Sequence, residues 1–190
     1  MKEFLDREIF YNSVEEYLWF FGIILFVFVF GRVIARLTGH LLYRIFRKLT
    51  PGSNAGHFVR LIQKPLAALI FLVTIGFAFT ILEFPPEINV EFLGITFFKW
   101  VNYIYQVAWV MSVAWLFIGI VNFVTGIFQE RADLTESKAD DQIILFLKDF
   151  LRIVIVLVAL VFVLGSVLKF NITSLLAGAG IAGLAIALAA

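Results

Sequence analysis

Apolar positions along this chain run together instead of alternating with polar ones. Four long runs stand out: Tyr17 to Leu37, Pro65 to Leu82, about Asn102 to Phe128, and Phe150 to Leu168. A fifth, from Asn171 to Ala190, is built almost wholly of Ala, Gly, Leu and Ile. A helix needs about 20 mainly apolar residues to cross the hydrocarbon of a bilayer, where an unpaired backbone group is intolerable. The pattern therefore predicts an all-α membrane protein with five transmembrane helices.

Composition agrees. Hydrophobic residues make up 62% of the 190, mean hydropathy is +1.00, and there are 23 Phe. A water-soluble globule of this size has no interior large enough for that much apolar surface. There is no Cys, which excludes disulfides and thiolate chemistry. The polar start, MKEFLDREIFYNSVEEY, lacks the basic stretch and cleavage site of a signal peptide, so the chain is read as mature.

Net charge is only +1, and its distribution carries the information. Arg36, at the end of the first span, and Arg44, Arg47, Lys48, Arg60 and Lys64, between it and the second, have no acid among them. Basic loops stay on the cytoplasmic side, which predicts an N-terminus outside and a C-terminal end inside. Tyr17, Trp19, Trp100, Tyr103 and Tyr105 then fall near the outer ends of spans one and three, as interfacial belt residues. In HLLYRIFRKL, apolar residues recur at helical spacing beside Arg44, Arg47 and Lys48, which reads as a basic amphipathic helix on the inner leaflet, separate from span one or continuing it, in preference to a merely solvated basic linker. TPGSNAG supplies a turn before span two.

Candidates for chemistry are few. Asn171–Thr173 fits a glycosylation sequon, but so short a link favours Asn171 or Thr173 as a helix N-cap. His40 and His57 lack metal-ligand spacing, and Asp140 and Asp141 precede an apolar run as helix-capping acids do. Arg32 and Arg152 lie near cytoplasmic span ends, where they can snorkel. No catalytic constellation, metal site or cofactor site is predicted, and nothing points to nucleic acid.

The last helix has distinct faces. At about 100° per residue, Ser174, Ala177, Ile181, Leu184 and Leu188 form one stripe. Gly178, Ala182, Ala185 and Ala189 lie on one flank, and Gly180, Gly183 and Ala187 on the other. Small residues let helix backbones approach closely in lipid. Two unlike small faces suit a head-to-tail contact, which closes into a ring if its rotation permits. The stripe would then line a lumen, narrowest at Leu184 and Leu188, and such an apolar neck gates by dewetting. The same spacing also suits packing against the chain's own other spans.

AGAGIAGLAIALAA, preceded by SKADDQIILFLKDFLRIVIVLVALVFVLG, closely resembles the MscS family of small-conductance mechanosensitive channels. The resemblance covers about Ser137 to Ala190. It implies a homo-heptamer whose Gly/Ala-rich helix lines the pore. The family's Gly-Leu-Ala core is matched by Gly183, Leu184, Ala185, Ala187, Leu188 and Ala189, its constricting leucines by Leu184 and Leu188, and its packing positions by Ala177, Gly180, Ala185 and Ala187. At Ala187 the family often has Gly.

The expected organisation is an extracytoplasmic segment (1–16), three peripheral spans (17–128) with a basic cytoplasmic loop (38–64), a linker and fourth span (129–168), and a pore helix (169–190). The uncapped end reads as that of a chain cut before a cytoplasmic domain. The expected function is a tension-opened channel of the bacterial inner membrane that releases ions and small solutes under hypoosmotic stress, with lipids and further copies of itself as partners. A non-conducting scaffold whose small-residue helix only docks partners is the alternative. A small transporter ranks last, for want of a polar midplane site and internal repeats.

Overall fold

The computed structural model describes residues 8–47, 54–85, 89–92, 94–132 and 138–189. The first hairpin pairs β1 (Glu8–Ile9) with β2 (Asn12–Ser13) and leads straight into helix α1 (Val14–Phe46). Helix α2 covers Ala55–Phe79, and a second hairpin, β3 (Glu91–Phe92) with β4 (Ile95–Thr96), precedes α3 (Phe97–Ala132). Helix α4 (Lys138–Phe162) runs into a π-helical turn (Val163–Val167), and α5 covers Ile172–Ala189. Each of the five expected spans coincides for most of its length with one of five helices long and apolar enough to cross a membrane. The second and fourth were expected to run on to Leu82 and Leu168, and the helices stop at Phe79 and Val167. The two short hairpins were not expected; ladders of two residues carry no periodic signal.

The caps explain the helix starts. Ser13 accepts from the Glu16 N–H while Glu16 accepts from the Ser13 N–H, a capping box that opens α1. Asn54 caps α2 by accepting from the Gly56 N–H at 2.8 Å. Helix α4 begins at Lys138, which places Asp140 and Asp141 in its first turn.

Helices α1 to α4 all extend beyond the expected spans, and in α1 and α2 the extension changes the reading. The amphipathic stretch after His40 is no separate surface helix: as far as Phe46 it continues α1, and Lys48 and Leu49 lie outside the described residues. Helix α2 starts ten residues before Pro65 and keeps the proline inside. Pro65 has no N–H to return to the Leu61 carbonyl. Gly119 of α3 sits against that carbonyl, where an added Cβ would come within 3.2 Å of the oxygen.

Helices α1 to α4 pack in chain order, each against the next. The tightest part of the core lies where the end of α1, the start of α2 and the end of α3 meet. Phe58, Val59, Ile62 and Phe123 are buried there, with Tyr43 and Phe46 against them. The Phe58 and Phe123 rings stand edge to face, centroids 4.7 Å apart.

The hairpin β1–β2 is tied to the far end of α2 by one side chain. Asn12, 3% exposed, donates from Nδ2 to the Glu83 carbonyl at 2.7 Å and accepts at Oδ1 from the Glu83 N–H, also at 2.7 Å. Nδ2 reaches the Phe10 carbonyl as well, at 3.0 Å. Phe10 and Tyr11 have φ of 49° and 69°, the doubly left-handed turn that bulky residues adopt only when held. Asn12→Ala is expected to cost about 1–3 kcal/mol by stranding these backbone groups. The thermal midpoint in detergent should fall and proteolysis ahead of α1 should quicken, with helix content by circular dichroism unchanged.

Candidate pore helix and its attachment

The fifth helix starts where its side chains dictate. Asn171 accepts from the Ser174 N–H at 3.2 Å, so Asn171 is the N-cap. Behind it, Lys169 takes a left-handed φ of 60°, and the Phe170 N–H returns to the Leu164 carbonyl at 2.9 Å. The π-helical turn widens the end of α4 by one residue per turn. Ile172, the first residue of α5, seats over Gly165 of that turn, where an added Cβ would overlap the isoleucine side chain.

Beyond that seat, α5 stands clear of the rest of the chain. Every side chain described from Thr173 to Ala189 is exposed; those of Leu175 and Ile186 are not among them. Ile181 is 70% exposed, Leu184 66% and Leu188 89%. Ser174 and Ala177, from the same stripe, are exposed too. So are Gly178, Ala182, Ala185 and Ala189 on one flank, and Gly180, Gly183 and Ala187 on the other. A Cβ added at Gly178, Gly180 or Gly183 would meet no atom within 4 Å. Among the described residues of α5, the small side chains on both flanks pack against none of the chain's other spans.

The other lipid-sized helices expose a different chemistry. Along α1 and α4 the exposed residues are bulky: Phe26, Phe28 and Phe30 on one, Phe146, Phe150 and Leu157 on the other. Helix α5 offers mostly Ala and Gly. A surface of that kind gains little from lipid tails and much from another helix backbone.

Two residues expected at membrane boundaries are engaged inside the bundle instead. Tyr105 is no belt residue; its hydroxyl donates to the Leu72 carbonyl of α2 at 3.0 Å, and its ring fills the space left open by Gly76. Arg152 does not simply snorkel. Its Nε and Nη2 donate to Asn122 Oδ1 of α3 at 3.1 and 2.7 Å, and Asp149 lies 3.8 Å from Nη1. That clamp joins α3 to the helix that carries α5. Sequence offered no signal for it, because Asn122 and Arg152 are 30 positions apart on separate helices.

No family model and no solved structure matches the chain. Two curated relatives from Methanocaldococcus jannaschii do. The chain is 29% identical over 193 residues to the small-conductance mechanosensitive channel MscMJ, covering 97% of this chain and 50% of the relative. It is also 29% identical over 196 residues to the large-conductance mechanosensitive channel MscMJLR, covering 98% of this chain and 49% of the relative. The chain thus spans about half the length of the curated relatives it matches. Both relatives are channels by name, and the likeness extends over α1 to α5, well beyond the stretch that carries the sequence resemblance.

Proposed function

We propose that the chain is the membrane-spanning part of an MscS-like mechanosensitive channel subunit, with α5 lining the pore in a ring of identical copies. One observation carries this reading. An 18-residue apolar helix of mostly small side chains is seated at its first residue, and every side chain described beyond that seat is exposed. Further copies of the same helix satisfy both small flanks at once.

In that ring, one flank of each α5 packs on the unlike flank of the next, and Ser174, Ala177, Ile181, Leu184 and Leu188 face the axis. Leu184 and Leu188, about 6 Å apart along the helix, form two successive apolar rings. Water leaves a neck that is narrow and apolar, and ions cannot cross it. Tension favours the conformation with the larger in-plane area, and this differential drives opening. Lipid pulls on α1 to α4, residues 17–128 being peripheral, and the pull reaches the pore through residues 129–168 and the seat of Ile172 on Gly165.

The ring is a heptamer in this reading, its membrane the bacterial inner membrane. Residues 1–16 lie outside, the 38–64 segment and the C-terminal end of 169–190 inside. Ions and small solutes pass during hypoosmotic stress. The scaffold alternative is not favoured, since both relatives are channels by name.

Two measurements test the reading. Liposome patches holding the purified chain should conduct under suction, and particles imaged in detergent should show a closed symmetric ring. A silent patch together with a non-symmetric particle would sink it.

A further inference from the structure

The second half of α1 repeats every four residues. From Gly31 to Phe46 it reads GRVI, ARLT, GHLL, YRIF, and exposure keeps the same beat. The first position of each tetrad faces α2: Gly31, Ala35 and Gly39 are buried and Tyr43 is half-buried. The second position is Arg32, Arg36, His40 and Arg44, all exposed. The third is Val33, Leu37, Leu41 and Ile45, again all exposed.

Residues four apart stack into ridges along a helix. Over three steps each ridge rises about 18 Å. A basic ridge and an aliphatic ridge therefore run side by side down the open surface of α1. His40 is fixed in the first, its Nδ1–H donating to the Arg36 carbonyl at 2.8 Å.

The basic ridge has no counter-charge of its own. No Asp or Glu occurs between Tyr17 and Glu83. Among the described residues, no carboxylate pairs with Arg32, Arg36 or Arg44. Neither water nor bare hydrocarbon suits both ridges: exposed aliphatic side chains cost free energy in the first, and guanidinium groups far more in the second.

We propose that this double ridge docks an anionic phospholipid. The headgroup phosphate accepts from the guanidinium groups of Arg36 and Arg44, a geometry that suits the guanidinium fork. One acyl chain lies along Leu37 and Leu41. A zwitterionic lipid fits less well, because its ammonium group would meet the arginines and leave their charge uncompensated. The proposal rests on the reading of α1 as a membrane span, and it is independent of conduction.

The test is lipid selectivity, measured by electron paramagnetic resonance on the chain in vesicles. Spin-labelled phosphatidylglycerol should be immobilised in preference to spin-labelled phosphatidylcholine. Arg36→Gln and Arg44→Gln should each lower that preference about five-fold. Arg60→Gln with Lys64→Gln removes two exposed bases of α2 that lie off the ridge, and should leave the preference nearly intact. Excess inorganic phosphate should displace no lipid. Equal immobilisation of both lipids by the unaltered chain would overturn the proposal. So would an equal loss from the α2 pair, which would mean diffuse charge, or displacement by inorganic phosphate, which would mean a phosphate site. A chain that conducts no current still gives a valid result, so failure here and failure of the channel reading are told apart.

Discussion

Replacing Leu188 by serine is expected to yield a channel that opens at markedly lower tension, with a threshold shift large enough to impair growth of cells expressing it. The side chain is 89% exposed in the single chain, so the substitution disturbs no packing within the subunit. In the proposed ring, its effect appears only where copies of α5 converge. In a dry neck, each serine brings a hydroxyl whose lack of partners costs about 1–3 kcal/mol, and a ring multiplies that by the number of subunits. Water enters instead, and the closed state loses its advantage. Leu184→Ser should act in the same direction, one turn further from the helix end. Patch-clamp on reconstituted variants reads the threshold directly. An unchanged threshold and conductance in both would mean that this stripe does not face the lumen.

The legible part of this protein was the part written in long runs. Apolar stretches of about 20 residues mark spans almost regardless of neighbours, because the bilayer sets their length. Hydropathy falls at Arg36 and rises at Pro65, whereas backbone hydrogen bonding carries α1 on to Phe46 and starts α2 at Ala55. Small-residue spacing is plain in α5, where composition is extreme, and masked in α1, where Gly31, Ala35 and Gly39 lie among bulky neighbours. That seam and the ridge beside it share a period of four.

Pairings between distant side chains stayed hidden. Asn12 meets Glu83 across 71 positions, and Tyr105 meets Leu72 across 33. No local pattern specifies such partners; they follow from which helix packs on which. The same is true of Gly165. In the run FVLGSVL it looks like one more residue of a span, and only the return of Ile172 gives it a role.

That role sets the second large effect. Gly165→Ala is expected to loosen the seat of α5, because the new methyl occupies the space of the Ile172 side chain. Isoleucine is stiff at its branched Cβ, so little relief comes from rotation and the first turn of α5 must shift. Overfilling a packed site of this kind costs about 1–3 kcal/mol per subunit. Among the described residues, the cost falls where the rest of the chain holds α5, so in the proposed channel it should lower the thermal midpoint and spread the tension threshold over a wider range. Trimming the other side tests the cause. Gly165→Ala with Ile172→Ala returns the lost volume and should recover most of the midpoint, whereas Ile172→Ala alone should weaken the seat by removing its contact. If the double variant were as impaired as the sum of the singles, volume at this seat would not be what joins α4 to α5. The requirement would then lie in the backbone of the π-helical turn itself, where the Leu168 N–H returns to the Val163 carbonyl at 3.0 Å.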